Sequence, residues 1–380
     1  AILKKAYDRF DKESLDFQSF CRENSYWLND YALFMALKND NNGLSWQNWP
    51  KEYKHRDKEA LETFEEENFY EVNFYRFIQY LFFTQWEELK KYIHDHSIKT
   101  IGDLPIYVAE DSADTWANPE LFCLDEDLNA KFVGGCPPDG FSDDGQLWGN
   151  PCYDWEANEE TGYKWWIQRI EAQFKTFDVI RIDHFRGFES FWKVPAGEET
   201  AKNGEWVKGP GMKLFGAVKE ELGELPIIAE DLGYMTKEVY DFREETGFPG
   251  MKILQFAFNP AADSDYLPHN ITENSIVYTG THDNDTILGW LSVASWEEID
   301  FARRYLNLTD GEGYNWGLIR AAMTTIARVA IFQMQDLLGI DNFGRMNSPG
   351  TLGGNWTWRM RENSLSYDLT ERMKELTRIA

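Results

Sequence analysis

At 380 residues, 43% of them hydrophobic, the chain is long enough to be one large barrel domain, and no apolar run reaches the ~18–20 residues that span a bilayer. A formal net charge of −27 argues against nucleic acid and anionic membranes as partners and disfavours a polyanionic substrate, leaving a neutral ligand as the expectation. Aromatic residues make up 16%, with 16 tryptophans among them; many must be ordinary core, but an excess of Trp and Tyr also suits flat ligands with a polar edge, such as sugar rings.

Residues 1–40 predict helix, with Phe10, Leu15, Phe17 and Phe20 as an irregular apolar stripe. Residues 41–56, rich in Asn, Trp and Pro, predict a loop. Asp57 to His96 predicts a long helical region, acidic at its start and basic at its end, with Phe74, Phe77, Ile78, Leu81 and Phe82 on one face. The sequence opens at Ala1 with no charged-then-apolar leader, so no signal peptide is expected. Cys21, Cys123, Cys136 and Cys152 show no C-x-x-C spacing and predict reduced thiols in a cytoplasmic protein. In that setting the N-x-[ST] triplets at Asn270, Asn284, Asn307 and Asn355 are chance matches.

From residue 100 the rhythm changes to short apolar runs alternating with helices. Strands are expected at 101–108, 178–183, 225–231, 251–258, 275–283 and 330–336, with a long Gly- and Asp-rich loop running to about residue 155. Helices are expected near 160–176, 212–222, beyond a Thr236 N-cap, 296–306 and 314–329. That alternation predicts a parallel βα repeat. A closed barrel needs eight strands, and nothing before residue 100 supplies a seventh or an eighth.

Three carboxylates, Asp183, Glu230 and Asp283, stand where apolar strands give way to polar turns. In a parallel barrel such positions face one pocket at the carboxyl ends of the strands. Clustered carboxylates either bind a hard cation or cleave glycosidic bonds as nucleophile and general acid. Arg181 shares a strand face with Asp183 and would hold a nucleophile ionised, which favours the sugar chemistry over a metal. A buried structural salt bridge between Asp183 and an arginine is the plainer alternative. Asp125, Asp127 and Asn129 open like a calcium loop but lack its glycine and its closing glutamate. His94 and His96 do not share a helix face, which disfavours zinc. Gly134-Gly135 and Gly353-Gly354 fit no phosphate-binding fingerprint.

Arg181-Ile182-Asp183-His184-Phe185-Arg186-Gly187, Ala229-Glu230-Asp231-Leu232-Gly233 and Thr281-His282-Asp283-Asn284 resemble, in order, the nucleophile, acid/base and third-carboxylate motifs of the 4-α-glucanotransferases called amylomaltases or disproportionating enzymes, glycoside hydrolase family 77. Gly135-Cys136-Pro137-Pro138-Asp139-Gly140-Phe141-Ser142, continuing to Gly145-Gln146-Leu147-Trp148-Gly149-Asn150-Pro151, resembles that family's active-site covering loop. Arg345-Met346-Asn347-Ser348-Pro349-Gly350 with Gly354-Asn355-Trp356 resembles its segment after the last strand. Gly140 departs from the pattern, since some members carry tyrosine there.

The resemblance implies an α/β fold, a (β/α)8 TIM-type barrel, with residues 1–380 as a single catalytic domain. A helical insertion would occupy about 1–98 and the covering loop about 133–155. The family's first two strands would precede Ala1, so the N-terminal strands are expected to be absent from this chain. By the same resemblance Asp183 is the nucleophile, Glu230 the acid/base and Asp283 the transition-state stabiliser, with Arg181, His282, Trp148, Gln146, Asp139 and Asn347 binding substrate. The implied partners are maltooligosaccharides and α-1,4-glucans, with no cofactor or metal. The implied reaction is glucan transfer with retention through a covalent glycosyl-enzyme, the two carboxyl groups standing ~5–5.5 Å apart and Glu230 starting protonated. Asp103 and Asp231 are expected in supporting roles, and Asn347 and Asn355 could instead cap turns. An α-amylase-like retaining hydrolase and a non-catalytic glucan-binding remnant are the alternatives.

Overall fold

The computed structural model describes residues 2–138, 142–351 and 353–380, so Asp139, Gly140 and Phe141 of the expected covering loop lie outside the described residues. Two compact units are present: Ala1–Ile227 with Thr236–Thr246, and Ile228–Met235 with Gly247–Ala380.

The first unit opens with helices Ile2–Arg9, Leu15–Glu23 and Ser25–Asp40. The Ser14 side chain accepts from the Phe17 amide and so caps the second of them. The expected helical region over 57–96 consists of two helices, Lys58–Glu67 and Phe69–Asp95. Asn68 makes the break: its side-chain amide donates to the Phe64 carbonyl at 3.0 Å and satisfies a helix-end acceptor. The expected loop over 41–56 also carries structure, a 3-10 turn at Trp46–Asn48 and a short helix at Lys51–Lys54. Trp46 is fully buried there, and its indole N–H donates to the Glu110 carbonyl at 2.8 Å. It packs with Phe34, Trp49, Phe64 and Trp116 into one core cluster.

The described residues of this unit hold six strands: β1 (Ile101–Leu104), β2 (Phe132–Cys136), β3 (Gln146–Pro151), β4 (Val179–Ile182), β5 (Ser190–Pro195) and β6 (Glu205–Lys208). β1 and β4 are parallel, with Asp103 opposite Arg181. The others form an antiparallel sheet in the order β3-β2-β5-β6, of which β2 and β3 fall in the stretch expected to be a Gly- and Asp-rich loop. Composition hid it. Gly134 and Gly135 sit in β2 because a Cβ on either would lie 2.4 Å from the Tyr107 ring or the Gln146 carbonyl oxygen. Pairing of β2 with β5 also joins residues some sixty positions apart, beyond the reach of local pattern.

β7 (Ile227–Ala229) begins at the end of the first unit, where the Ile180 amide donates to the Pro226 carbonyl, and continues into the second. In the second unit β8 (Gly250–Ile253), β9 (Ser275–Tyr278) and β10 (Val329–Ile331) are parallel to their neighbours, β7 with β8, β8 with β9 and β9 with β10. Parallel strands β1, β4 and β7 to β10 are therefore the six expected from the sequence, each shorter than its apolar run. β8 and β9 are buried along their whole length, the pattern of strands covered on both faces. Helices Ile287–Val293, Trp296–Leu306 and Tyr314–Met323 contribute Trp290, Ala302, Leu306, Trp316, Leu318 and Ile319 to the core of this unit. Ser295 and Glu298 close a capping box on the second of them.

The base of β4 is fixed by Asp178, whose carboxylate accepts from the Thr100 amide at 2.7 Å, the Thr100 hydroxyl at 2.9 Å and His94 Nε2 at 2.9 Å. Burial works to raise this carboxyl, but the Thr100 amide, His94 and the Thr100 hydroxyl together hold its pKa at about 2. Free aspartate titrates near ~3.9, so this contribution to stability is complete above about pH 4 and disappears as pH falls through 2. Asp178→Asn is expected to lower the urea midpoint at pH 7, with the gap to the parent chain narrowing at pH 3; equal gaps at the two pH values would refute the assignment.

Candidate active site

In the first unit the tip of β4 presents Arg181, and the residue two along is Asp183, on the same face. Arg181 is buried to 8% exposure, and its guanidinium takes two carboxylates: Asp103 Oδ1 on β1 at 2.5 Å and Asp183 Oδ1 at 2.8 Å. The planar fork fixes where the Asp183 carboxylate points, while Asp183 itself stays partly open to solvent at 42% of its side chain. Asp103 is thus a partner of Arg181, in line with the supporting role expected for it.

His184 follows at φ 50°, a left-handed conformation that a non-glycine residue adopts at some cost. The chain then turns through Phe185–Phe188 into β5. Phe185 and Phe188 are fully buried, and Phe185 stacks on Phe242 at 5.0 Å. These aromatic residues are core rather than ligand platforms. Gly187 allows the turn to close, because a Cβ there would meet Ile106 at 2.6 Å. Trp148, on β3, approaches the His184 ring edge-on at 4.8 Å and donates its indole N–H to Gln146 Oε1 at 3.2 Å. The first unit therefore brings together Arg181, Asp183, His184, Trp148 and Gln146. Asp139 lies outside the described residues.

In the second unit Glu230 follows the end of β7 and is 9% exposed, with Oε1 accepting from the Leu232 amide at 2.9 Å. Its neighbour Asp231 is 3% exposed and accepts from the Met251 amide of β8 at 2.7 Å, the structural role expected of it. Beyond β9, Asp283 Oδ1 accepts from Asn347 Nδ2 at 2.6 Å, and His282 Nε2 lies 3.4 Å from Asp283 Oδ2. Asn347 therefore meets a carboxylate instead of merely capping a turn, whereas Asn355 does hold one by accepting from the Ser348 amide at 3.1 Å. Trp356 packs its ring 5.1 Å from that of His282. One group the sequence reading did not single out is Arg345. It donates to the Asp283 carbonyl at 2.6 Å, to Asp285 Oδ1 at 2.5 Å and to the Asn347 carbonyl at 2.9 Å. Its signal in the sequence was its place at the head of the 345–350 segment.

A family model described as 4-alpha-glucanotransferase matches residues 1–366. The chain belongs to the 4-alpha-glucanotransferases of glycoside hydrolase family 77. The 4-alpha-glucanotransferase of Clostridium butyricum is 50% identical over 381 residues, an alignment covering 100% of this chain and 78% of that protein. That of Streptococcus pneumoniae serotype 4 is 52% identical over 386 residues, covering 100% of this chain and 76% of the relative. Among solved structures, the amylomaltase of Streptococcus agalactiae in complex with acarbose superposes with a TM-score of 0.96 at 41% identity, covering 100% of this chain and 77% of that one. This member of the family thus shares the amylomaltase fold along its whole length. No helix among its described residues is long and apolar enough to cross a membrane.

Desolvation, then the charge of Arg186, holds the His184 imidazole down at a pKa of about 3, so the ring beside Trp148 is neutral throughout the range in which a free histidine titrates. Selective ring labelling followed by NMR is expected to show His184 in its neutral form from pH 8 to pH 5. A midpoint near the ordinary ~6.5 would overturn this.

Proposed function

We propose that this chain is a 4-α-glucanotransferase that moves α-1,4-glucan segments between maltooligosaccharides with retention at the anomeric carbon. The observation that carries the proposal is the strand-tip pair Arg181–Asp183, a carboxylate aimed by a buried guanidinium and half open to solvent, standing inside the first of the three family motifs. The identity to named 4-alpha-glucanotransferases across the whole chain supports the reaction class. The acarbose bound by the related amylomaltase supports an oligosaccharide as ligand.

In this reading Asp183 attacks the anomeric carbon while Glu230 protonates the departing glycosidic oxygen. Glu230 then takes a proton from the 4-hydroxyl of an acceptor glucan, which displaces Asp183, and the two inversions restore the α configuration. Asp283, held by Asn347, and His282 bind sugar hydroxyls and favour the charge that develops on the ring in the transition state. Arg181 orients the nucleophile. Trp148, Gln146 and Asp139 bind substrate in this reading. We place all of this in one catalytic domain working in the cytoplasm, a setting supported by four cysteines without disulfide or metal-site spacing.

Incubation with maltotriose is expected to give glucose together with a ladder of longer glucans. Shortening alone would mean a hydrolase, and no change a binding remnant. Arg181→Lys keeps the charge but not the fork that bridges two carboxylates, and is expected to reduce transfer by about 100-fold while the chain stays folded by circular dichroism. Trp148 shields the intermediate from water in this reading. Trp148→Ala should therefore raise the ratio of hydrolysis to transfer, and an unchanged ratio would count against the shielding.

A further inference from the structure

One carboxylate that no motif covers is buried beneath the turn that carries His282, Asp283 and Asp285. Asp336 is 1% exposed and lies in the short helix Met334–Leu338 that follows β10. Its Oδ2 accepts from the Thr279 hydroxyl at 2.8 Å, and its Oδ1 accepts from the Ile287 amide at 2.7 Å. Thr279 is the first residue after β9, and Ile287 is the first residue of the next helix. A single side chain therefore ties down both ends of the segment 280–286, and that segment holds the third-carboxylate motif.

Other groups grip the middle of the same segment. Gln255 and Gln333 both donate to the Asp285 carbonyl, at 2.8 and 3.2 Å. Asn342 accepts from the Thr286 amide at 3.2 Å. Asn284 folds back to accept from the Thr281 amide and hydroxyl, at 2.8 and 2.9 Å. Gly280 leaves room for this arrangement, since a Cβ there would lie 2.6 Å from Gln255 Nε2. Asp336 is itself fixed, because its carbonyl accepts from Asn315 Nδ2 at 2.8 Å. A carboxylate is costly to bury unless its oxygens are satisfied, and here both satisfying donors belong to the two ends of one turn.

We propose that Asp336 is a positioning residue for the transfer reaction, setting the aim of Asp283 by clamping the strand end at Thr279 to the helix start at Ile287. It touches no substrate. Its effect passes through the backbone of the 280–286 segment, and it rests on the reading of Asp283 as the transition-state stabiliser. Burial pushes the Asp336 carboxyl up to a pKa of about 6, against the Ile287 amide and Thr279 hydroxyl that hold it down. The clamp is a pair of hydrogen bonds rather than a matter of charge. An asparagine would retain it, its carbonyl oxygen accepting from Ile287 and its NH2 donating to a Thr279 hydroxyl turned to accept.

Steady-state transfer from maltotriose tests this in four variants of the full chain. Asp336→Ala is expected to lower kcat by about 10- to 100-fold with KM changed less than about threefold, because misaim affects the transition state more than ground-state binding. Asp336→Asn should recover kcat to within about threefold of the parent. Thr279→Val removes one of the two anchors while preserving shape, and should lower kcat in the same direction by less; it decides the matter if the alanine variant does not fold. A folded alanine or valine variant with parental kcat, a loss confined to KM, or an asparagine variant as impaired as the alanine variant would overturn the proposal. Asp283→Asn run alongside separates the two readings: if it keeps parental kcat, the role of Asp283 fails; if it is inactive while Asp336→Ala is unimpaired, only the role of Asp336 fails.

Discussion

A buried guanidinium cannot stay in the interior of a parallel sheet without anionic partners, and the way Arg181 meets that requirement organises the first unit. Its two carboxylates come from its own strand and from the strand beside it, Asp183 two residues on and Asp103 directly across. Desolvated cations demand close and well-directed hydrogen bonds. The geometry that satisfies Arg181 therefore also fixes Asp183 in one direction, so the structural ion pair and the aim of the proposed nucleophile are the same set of bonds. The plainer reading of Arg181 and Asp183 as a salt bridge is consequently not a rival to the functional one.

The second unit applies the same economy of means to a backbone segment rather than to a side chain. The turn after β9 carries several polar groups away from the strand ladder, and each needs a partner. Gln255, Gln333, Asn342, Arg345 and Asp336 supply them from the ends of other strands and from the segment beyond β10. Because these donors and acceptors come from several elements at once, the turn has one arrangement that satisfies them all. The position of Asp283 follows from that arrangement, with Asn347 completing it on the side-chain oxygen.

Much of this was legible in advance, and the reason is physical. A strand buried on both faces must be apolar along its length, and its polar residues are pushed to its ends, so Asp183, Glu230 and Asp283 announced themselves as charges closing apolar runs. Asp336 closes the apolar run 330–336 in the same way. Asp103 was legible as a supporting residue but not as the partner of Arg181, since that depends on which strand lies next to β4. The antiparallel sheet of β2, β3, β5 and β6 was not legible at all. Its strands carry Gly134, Gly135, Gly149, Lys193 and Lys208 among their apolar residues, and local propensity gives no weight to pairings made across some sixty residues. The abundance of tryptophan likewise could not separate core from surface. Trp46, Trp116 and Trp166 are fully buried, whereas Trp356 is half exposed and lies against His282.

The sequence by itself determined the parallel βα repeat, its strand-end carboxylates and the family to which the chain belongs, because each depends on residue type and spacing within one element or one motif. Only the tertiary structure decided which more distant groups join them: Asp103 beside Asp183 on Arg181, Asn347 on Asp283, and Asp336 on both ends of the 280–286 turn. Partnerships of that kind join residues up to 78 positions apart, and a hydrogen bond depends on distance and direction in space, neither of which is written in the order of the chain.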